Sequence, residues 1–253
     1  MTMTTKSLLC TSVAALLSLS SAKAGLIGFT GSHAQNFDGL NGTIDNQDYG
    51  LSGGVFSALA GWYYNLPVYD HYHTDNGDNN QTNLYSYGAS GSTERALGVK
   101  RNGNADVVAF GVRLVNNPGS TINALNIGFT GEQWHAETHT DPLHFEYKVG
   151  GASLLETGYT NYTPLYFTSP QTGSGALDGN AVANQTALAD TLTGLNWTAG
   201  QEMWIRWSLP STGVTPGLAI DNLTIEAVPE PATFSVGAAL LAVGAFRRRR
   251  SAR

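Results

Sequence analysis

Strict alternation of apolar and polar residues recurs in four segments of the chain and constrains its fold more than any other feature. Successive side chains of a β-strand point to opposite faces, so alternation is typical of a strand with one buried face. The apolar rows are Val108, Phe110, Val112 and Leu114; Leu125, Ile127 and Phe129; Leu143, Phe145, Tyr147 and Val149; and Met203, Ile205, Trp207 and Leu209.

Turn-forming residues separate these rows, and no stretch before residue 229 carries a sustained helical stripe. Examples are Asn116–Gly119, Gly150–Gly151 and 210–213, in a chain with 30 glycines. Short strands divided by such turns indicate an all-β domain. We predict an antiparallel jelly-roll β-sandwich over residues 25–228, with long surface loops at 69–81 and 169–190.

The first residues have the pattern of a secretory signal peptide. Lys6 precedes an apolar stretch from Leu8 to Leu19, and Ala22 and Ala24 form a small-x-small cleavage site. We predict a signal helix over residues 1–24 that signal peptidase cuts before Gly25. The chain's one cysteine, Cys10, lies within this segment, so the mature domain has no disulfide and no thiolate chemistry.

The C-terminal segment, residues 229–253, has three parts in a fixed order. Pro229, Glu230 and Pro231 are followed by an apolar stretch at 232–246 and then by Arg247, Arg248, Arg249 and Arg250. As a helix the stretch would be about 22 Å long, against a bilayer core of about 30 Å. We predict a transmembrane helix at 232–246, with the arginines in the cytoplasm and residues 25–228 outside it.

The charge of the predicted ectodomain limits its partners. Between residues 25 and 228 there are six Lys or Arg against eighteen Asp or Glu, a formal charge of −12. Such a surface repels phosphate backbones and anionic headgroups, which argues against nucleic acid as a partner. Neutral or cationic partners, or a divalent metal, are expected instead.

The C-terminal order of motif, apolar helix and arginine cluster resembles the PEP-CTERM sorting signal of Gram-negative bacteria. The resemblance implies transient anchoring in the inner membrane, cleavage by an exosortase, and a final place at the cell surface or outside the cell. Many proteins with this signal are linked to exopolysaccharide, which the resemblance therefore implies as a partner.

Several strings within residues 26–227 resemble a jelly-roll module of bacterial surface proteins. This resemblance implies a fold and a location without a settled activity. The strings are 36–40 (NFDGL), 91–98 (GSTERALG), 130–134 (TGEQW), 177–180 (LDGN) and 217–223 (GLAIDNL).

Asp221 is a carboxylate in an otherwise apolar segment. Alternation places it on the face of Leu223 and Ile225, although Leu218 and Ile220 then fall on the opposite face. An unpaired buried carboxylate is unfavourable by several kcal/mol. The segment resembles sandwich carbohydrate-binding modules, which implies a structural Ca²⁺ held by Asp221 and the early Asp38.

Two alternatives to calcium stay open from the residues alone. Asp221 could accept backbone N–H bonds at a strand end, or it could pair with Arg113 or Arg206. Two histidine-rich clusters could also hold zinc or iron, but their spacing favours exposed polar loops. These clusters are His135, Glu137, His139, Asp141 and His144, and Asp70, His71, His73, Asp75 and Asp78.

The sequence contains few indications of an enzyme active site. The chain has no Gly-x-Ser-x-Gly elbow and no phosphate-binding glycine loop. Glu94 and Glu132 could form the carboxylate pair of a glycoside hydrolase or lyase, but Glu94-Arg95 is also readily explained as a structural ion pair or turn. We therefore predict a protein without enzymatic activity.

Aromatic residues are dense between positions 62 and 87. Trp62, Tyr63, Tyr64 and Tyr72 are candidates for a surface on which sugar rings stack, and core packing is the alternative. We predict a non-catalytic module associated with carbohydrate or exopolysaccharide, with a purely structural surface protein as a further alternative.

Overall fold

The computed structural model describes residues 25–40, 42, 44, 47–50, 54–66, 71–103, 107–117, 119–209 and 213–230. The predicted signal helix at 1–24, Pro231, the predicted transmembrane helix at 232–246 and Arg247–Arg250 lie outside these residues. Among the described residues, no helix has the length and apolar character needed to cross a bilayer.

Nearly all regular structure in the described part is β-strand. In chain order the strands are β1 (Ile27–Phe29), β2 (Ser32–Gln35), β3 (Gln47–Gly50), β4 (Trp62–Asn65), β5 (His71–Asp75), β6 (Asn83–Tyr87), β7 (Ala96–Lys100), β8 (Val108–Asn116), β9 (Ile122–Ala136), β10 (Pro142–Val149), β11 (Thr160–Asn161), β12 (Phe167–Thr168), β13 (Gly175–Ala176), β14 (Gln185–Trp197), β15 (Glu202–Leu209) and β16 (Gly217–Ala227). Two single 3₁₀ turns, Thr163–Leu165 and Val182–Asn184, complete the elements.

The strands form two sheets. A seven-stranded sheet has the order β1-β8-β15-β10-β11, with β4 also on β8 and β12 also on β10. A nine-stranded sheet has the order β13-β9-β16-β7-β6-β5-β3, with β14 also on β9 and β2 also on β16. Most pairs are antiparallel, as predicted, but β1 with β8 and β5 with β6 are parallel.

The two sheets enclose one core, as in a sandwich. All four predicted apolar rows contribute to it, on β8, β9, β10 and β15. Phe129 of the nine-stranded sheet lies edge-on to Trp207 of the seven-stranded sheet, with ring centroids 5.5 Å apart. Burial of such aromatic rings is the main contribution to stability in a chain with no disulfide.

The two predicted long loops are shorter than expected. β5 occupies His71–Asp75 within the first, and β14 begins at Gln185 within the second. In β5 only Tyr72 belongs to the core, and in β14 Asp190 interrupts the face on which Leu188 and Leu192 point to the core, so neither strand shows a clear alternation in the sequence. The remaining loop segments, 76–82 and 177–184, lie near the site described below.

Candidate metal centre

Three carboxylates that are far apart in the sequence converge on the nine-stranded sheet. Glu132 lies on β9, Asp221 on the adjacent β16, and Glu94 two residues before the next strand, β7. One oxygen from each of the three lies within 4.8 Å of the others. Three neighbouring strands thus bring together one acidic residue each, and we call this set the acidic cluster.

A β-bulge in β16 determines where Asp221 points. Asp221 is paired with Thr130, whereas Thr224 is paired with Gly128, so β16 has one extra residue at this place. Asn222 adopts a positive φ of 52° within it. An extra residue reverses the side-chain alternation, so the core contains residues from both sides of the bulge: Leu218, Ile220, Leu223 and Ile225.

The bulge corrects the predicted orientation of Asp221. Its side chain lies on the outer face of the nine-stranded sheet, with Ala219, which is paired directly with Glu132. It does not share the core face with Leu223 and Ile225. Sequence alternation failed here because the bulge shifts the phase by one residue.

The neighbour of β16 changes at the same bulge. β7 pairs with Leu218–Ile220, and β2 pairs with Leu223–Glu226, so a gap opens beside Asp221. The chain following β2 and the chain preceding β7 meet at this gap, where the backbone N–H of Arg95 donates to Oδ1 of Asp38 at 3.2 Å. This arrangement places Glu94 beside Asp221.

Loops bury two of the three carboxylates of the acidic cluster, and Glu94 is half-buried. Glu132 is 1% exposed and Asp221 is 4% exposed. The 177–180 loop lies above them: a Cβ at Gly179 would overlap the indole ring of Trp134, and Nδ2 of Asn180 donates to Oε2 of Glu94 at 2.6 Å. A glycine at position 179 therefore allows the loop to lie directly on Trp134.

The hydrogen-bond donors to the cluster in the described part of the chain are neutral. Glu132 accepts from Nε1 of Trp134 at 2.9 Å and from Nε2 of Gln185 at 3.3 Å. Oδ2 of Asp221 accepts from Nδ2 of Asn222 at 2.6 Å. Oδ1 of Asp221 is buried and accepts no hydrogen bond from any described residue. Leaving such an atom unsatisfied is unfavourable by about 1–3 kcal/mol.

Burial and mutual repulsion disfavour ionisation of the cluster. Burial, followed by the negative charges of Asp221 and Glu94, raises the pKa of Glu132 to about 8. Burial raises the pKa of Asp221 to about 7, and the charges of Glu94 and Asp38 add to this rise, whereas hydrogen bonds from the backbone N–H and the side chain of Asn222 oppose it. Near neutral pH the cluster therefore retains protons that a bound cation would displace.

Asp38, the predicted calcium partner of Asp221, lies beside the cluster without being one of its three members. Its oxygens accept from the Arg95 backbone and from Nδ2 of Asn36 at 2.6 Å. Glu94 and Glu132, considered from sequence only as a hydrolase pair, are the residues that join Asp221. The sequence signal for them was their presence in two of the recurring strings, at 91–98 and 130–134.

The arginine alternative for Asp221 is wrong. Arg113 lies on β8 and forms a two-pronged ion pair with Glu202, with N···O distances of 2.7 to 3.0 Å. Arg206 lies on β15 and donates to Glu146 at 2.7 Å. Both arginines belong to the seven-stranded sheet, on the other side of the core.

The donor chemistry of the cluster fits a hard cation. Three carboxylates supply oxygen ligands, and the surrounding Asn and Gln amides offer further oxygens if they rotate. Oxygen-only ligation suits Ca²⁺ and related divalent ions, whereas zinc and iron sites usually include His or Cys. The orphaned Oδ1 of Asp221 is an atom that such an ion would satisfy.

The predicted aromatic surface requires correction. Trp62 is completely buried, in edge contact with Phe37 and stacked on Trp207. Tyr72 is 3% exposed and stacks on Tyr49. Tyr63 and Tyr64 are half-buried against other aromatic rings. These rings pack within the protein because large aromatic side chains contribute most when they leave water.

The histidine clusters separate into local contacts. His71 and His73 both approach Oδ1 of Asp48, at 3.3 and 2.5 Å. His135, predicted in an exposed loop, is instead buried at the end of β9. His139 lies near Asp141 at 3.1 Å. Of the described residues, only Glu94, Glu132 and Asp221 form a group of three potential metal ligands.

The predicted sorting motif is described only in part. Pro229 and Glu230 are exposed, just beyond the end of β16. Oε1 of Glu230 accepts a hydrogen bond from Nδ2 of Asn123 at 2.9 Å.

No protein-family model and no curated protein matches the chain. Among solved structures it is similar to a family 11 carbohydrate-binding module from Clostridium thermocellum in complex with a β-1,3-1,4-mixed-linked tetrasaccharide. The identity is 14%, the match covers 74% of this chain and 99% of that chain, and the TM-score is 0.33.

Two further similarities have comparable values. A family 35 carbohydrate-binding module from Clostridium thermocellum is 14% identical, with 57% of this chain and 87% of that chain covered and a TM-score of 0.27. A family GH115 4-O-methyl-α-glucuronidase is 14% identical, with 60% of this chain but 17% of that chain covered and a TM-score of 0.32. Likeness at this level does not establish what the chain binds.

Proposed function

We propose that this protein is an exported, non-catalytic β-sandwich module that binds a divalent cation at Glu94, Glu132 and Asp221 and associates with extracellular polysaccharide. The single observation that carries the cation is the buried Oδ1 of Asp221, which accepts no hydrogen bond from any described residue while facing two other carboxylates. Ca²⁺ is the favoured ion because the ligands are all oxygen atoms.

Binding the cation would remove two unfavourable contributions to the stability of the folded protein. It would satisfy the orphaned oxygen, and it would neutralise the repulsion that raises the pKa values of Glu132 and Asp221. The adjoining strands β9, β16 and β7 and the loops at 36–38 and 177–180 would then be joined through one ion. The expected role is structural, since the cluster is covered.

Burial also argues against the alternative of a glycoside hydrolase or lyase. The Glu94 and Glu132 carboxylates approach each other, with oxygens within 4.8 Å, as the two carboxylates of a retaining glycosidase also do at about 5–5.5 Å. However, Glu132 is 1% exposed, so a sugar ring could not lie between the two carboxylates. A general acid must reach the glycosidic oxygen to act on it.

The sorting and partner parts of the proposal are supported by the sequence. Residues 229–253 combine Pro229-Glu230-Pro231, an apolar stretch and an arginine cluster, which supports export, transient inner-membrane anchoring and exosortase processing. The negative charge of residues 25–228 favours a neutral polymer over an anionic one.

Thermal unfolding of the purified protein tests the cation. Excess Ca²⁺ over a chelated sample should raise the Tm by about 5–10 °C, since 100-fold saturation contributes about 2.7 kcal/mol. Asp221→Asn and Glu132→Gln should each remove most of that shift. Glu226→Gln, an exposed acidic residue on the same strand, is the matched control and should retain it.

The remaining parts need separate measurements. A glycan array, with pull-down on extracellular polysaccharide, should show binding without any release of reducing ends. Absence of any Tm shift with Ca²⁺, Mg²⁺ or Mn²⁺ would contradict the cation site. If the wild-type protein hydrolyses a glycan and the Glu132→Gln variant does not, the non-catalytic assignment is contradicted.

A further inference from the structure

A cavity of about 340 Å³ lies next to the acidic cluster. Three loop segments form its walls, at 76–78, 89–90 and 176–178, and Trp134 completes it. These segments lie at the C-terminal ends of β5, β6 and β13, three strands of the nine-stranded sheet. The volume falls within the range of about 300–1,000 Å³ typical of small-molecule sites.

The wall at 176–178 is tied to the acidic cluster through two contacts. Three residues after Leu177, the Asn180 amide donates to Glu94. Between them, Gly179 lies on the indole of Trp134, whose Nε1 donates to Glu132. The backbone of Ala176 and Leu177 is paired with β9, so the acidic cluster acts on the end of this wall at 178–180.

The wall at 89–90 is tied to the same cluster through the chain itself. Ser92 N–H donates to the Ala89 carbonyl at 2.9 Å, and Glu94 N–H donates to Oγ of Ser92 at 3.1 Å. This folded turn links the wall to Glu94 within four residues. Its position thus depends on where the Glu94 carboxylate is held.

The third wall is fixed independently of the cluster. Oδ1 of Asp75 accepts from the Gly77 N–H at 2.6 Å, and Nδ1 of His135 donates to the Gly77 carbonyl at 2.6 Å. Because a carbonyl oxygen can only accept, the contact requires the hydrogen of His135 to be on Nδ1. The wall at 76–78 is thus held by Asp75 and His135, whereas the other two walls are linked to the acidic cluster.

The chemistry of the lining fits a hydroxyl-rich, uncharged ligand. Leu177 and Ala89 give apolar area, and Ser90 and Asn76 give neutral hydrogen-bonding groups. Two exposed carboxylates, Asp78 and Asp178, can each accept from hydroxyl groups and would repel an anion. Apolar patches with a few convergent polar groups are the usual composition of a small-molecule pocket.

We infer that this cavity is a saccharide subsite whose walls are set in place by the cation at the acidic cluster. The inference rests on the proposed function and adds the location of the ligand and its dependence on the ion. Without the cation, no ion joins Glu94, Glu132 and Asp221, so the two walls linked to them are held less firmly and affinity for saccharide falls.

Calorimetric titration of the purified protein with tetrasaccharides of glucose, galactose, mannose and xylose tests the inference. At least one should bind in excess Ca²⁺, with affinity at least 10-fold lower in chelator.

Ala89→Trp, which fills the cavity, should abolish binding while retaining the Ca²⁺-dependent rise in Tm. Ala152→Trp, at an exposed alanine in a loop of the seven-stranded sheet, should bind normally. Asp78→Asn should weaken binding without affecting the Tm shift.

The outcomes separate this inference from the proposed function. A Ca²⁺-dependent Tm shift with no saccharide bound, or with binding unchanged in chelator or in Ala89→Trp, would overturn the inference and leave the cation site intact. Saccharide binding with no effect of Ca²⁺ on either Tm or affinity would overturn the cation site together with the inference.

Discussion

The indole Nε1 of Trp134 donates a hydrogen bond of 2.9 Å to Oε2 of Glu132, two residues earlier on the same strand. Alternate residues on a strand share a face, so both side chains lie on the outer face of the nine-stranded sheet. Trp134 also stacks on Tyr87, with ring centroids 5.7 Å apart. One indole thus joins a buried carboxylate to an aromatic cluster and, through Gly179, to a covering loop.

This contact predicts an optical signal for cation binding. Because Nε1 of Trp134 bonds to a carboxylate that would become a ligand, Ca²⁺ should change the tryptophan emission. Trp134→Phe, which preserves a ring against Tyr87, should remove most of the change among the chain's five tryptophans. Trp204→Phe is the control, because its Nε1 bonds to the Gly151 carbonyl in the other sheet. Equal signals from both variants would show that Trp134 does not report on the site.

The raised pKa values predict how stability depends on pH without a cation. With pKa values of about 8 for Glu132 and about 7 for Asp221, the folded protein holds more protons than the unfolded chain between about pH 4 and pH 8. The contribution of this pair is therefore fully present below about pH 4, falls progressively above it, and is lost by about pH 8. The free energy of unfolding should fall by several kcal/mol across this window, since one unit of pKa shift corresponds to about 1.4 kcal/mol.

Urea unfolding at pH 5, 7 and 8.5 in metal-free buffer measures this fall. The double variant Glu132→Gln/Asp221→Asn should show a much smaller pH dependence, which separates the pair from other titrating groups. Saturating Ca²⁺ should also reduce the fall, since a bound ion favours the ionised carboxylates. A wild-type stability that is flat from pH 5 to 8.5 in chelator would contradict the assigned proton uptake.

The bulge at Asn222 predicts an unusual order of substitution effects. A positive φ of 52° is strained for Ala and free for Gly, so Asn222→Ala should lower the free energy of unfolding by about 1–2 kcal/mol. Asn222→Gly should be about 1 kcal/mol more stable than Asn222→Ala. Both variants lose the amide bond to Asp221, so the difference isolates the backbone. Urea unfolding in the presence of a chelator measures this difference. If Asn222→Ala and Asn222→Gly have the same free energy of unfolding, the bulge carries no backbone strain.

The burial of Trp62 predicts a stability effect without a binding effect. Trp62→Ala should lower the free energy of unfolding by about 3–5 kcal/mol, because it opens a cavity beside Phe37 and Trp207. Trp62→Phe should be much milder, since Nε1 of Trp62 is buried and has no hydrogen-bond partner among the described residues. Saccharide affinity of Trp62→Phe should equal that of the wild type. A large loss of affinity in this variant would restore Trp62 to the binding surface.

The alternating rows on β8, β9, β10 and β15 were sufficient to predict strands, two sheets and a common core. These rows depend on side-chain period, which is a local property. Parallel pairing of β1 with β8 and of β5 with β6 was not predictable in this way, because the pairing of distant strands leaves no local pattern. The first part of β14, residues 185–190, was assigned to a loop because Asp190 interrupts the inward row of Leu188 and Leu192.

Asp221 is the one site residue that the sequence by itself determined, because a carboxylate within an apolar segment requires a partner whatever the fold. Only the tertiary structure decided what that partner set is. Glu94 and Glu132 reach Asp221 because β7, β16 and β9 are neighbours, and the single extra residue at Asn222 turns its side chain from the core to the outer face. Strand order and a one-residue phase shift are properties of long-range pairing, which no local stretch of sequence contains.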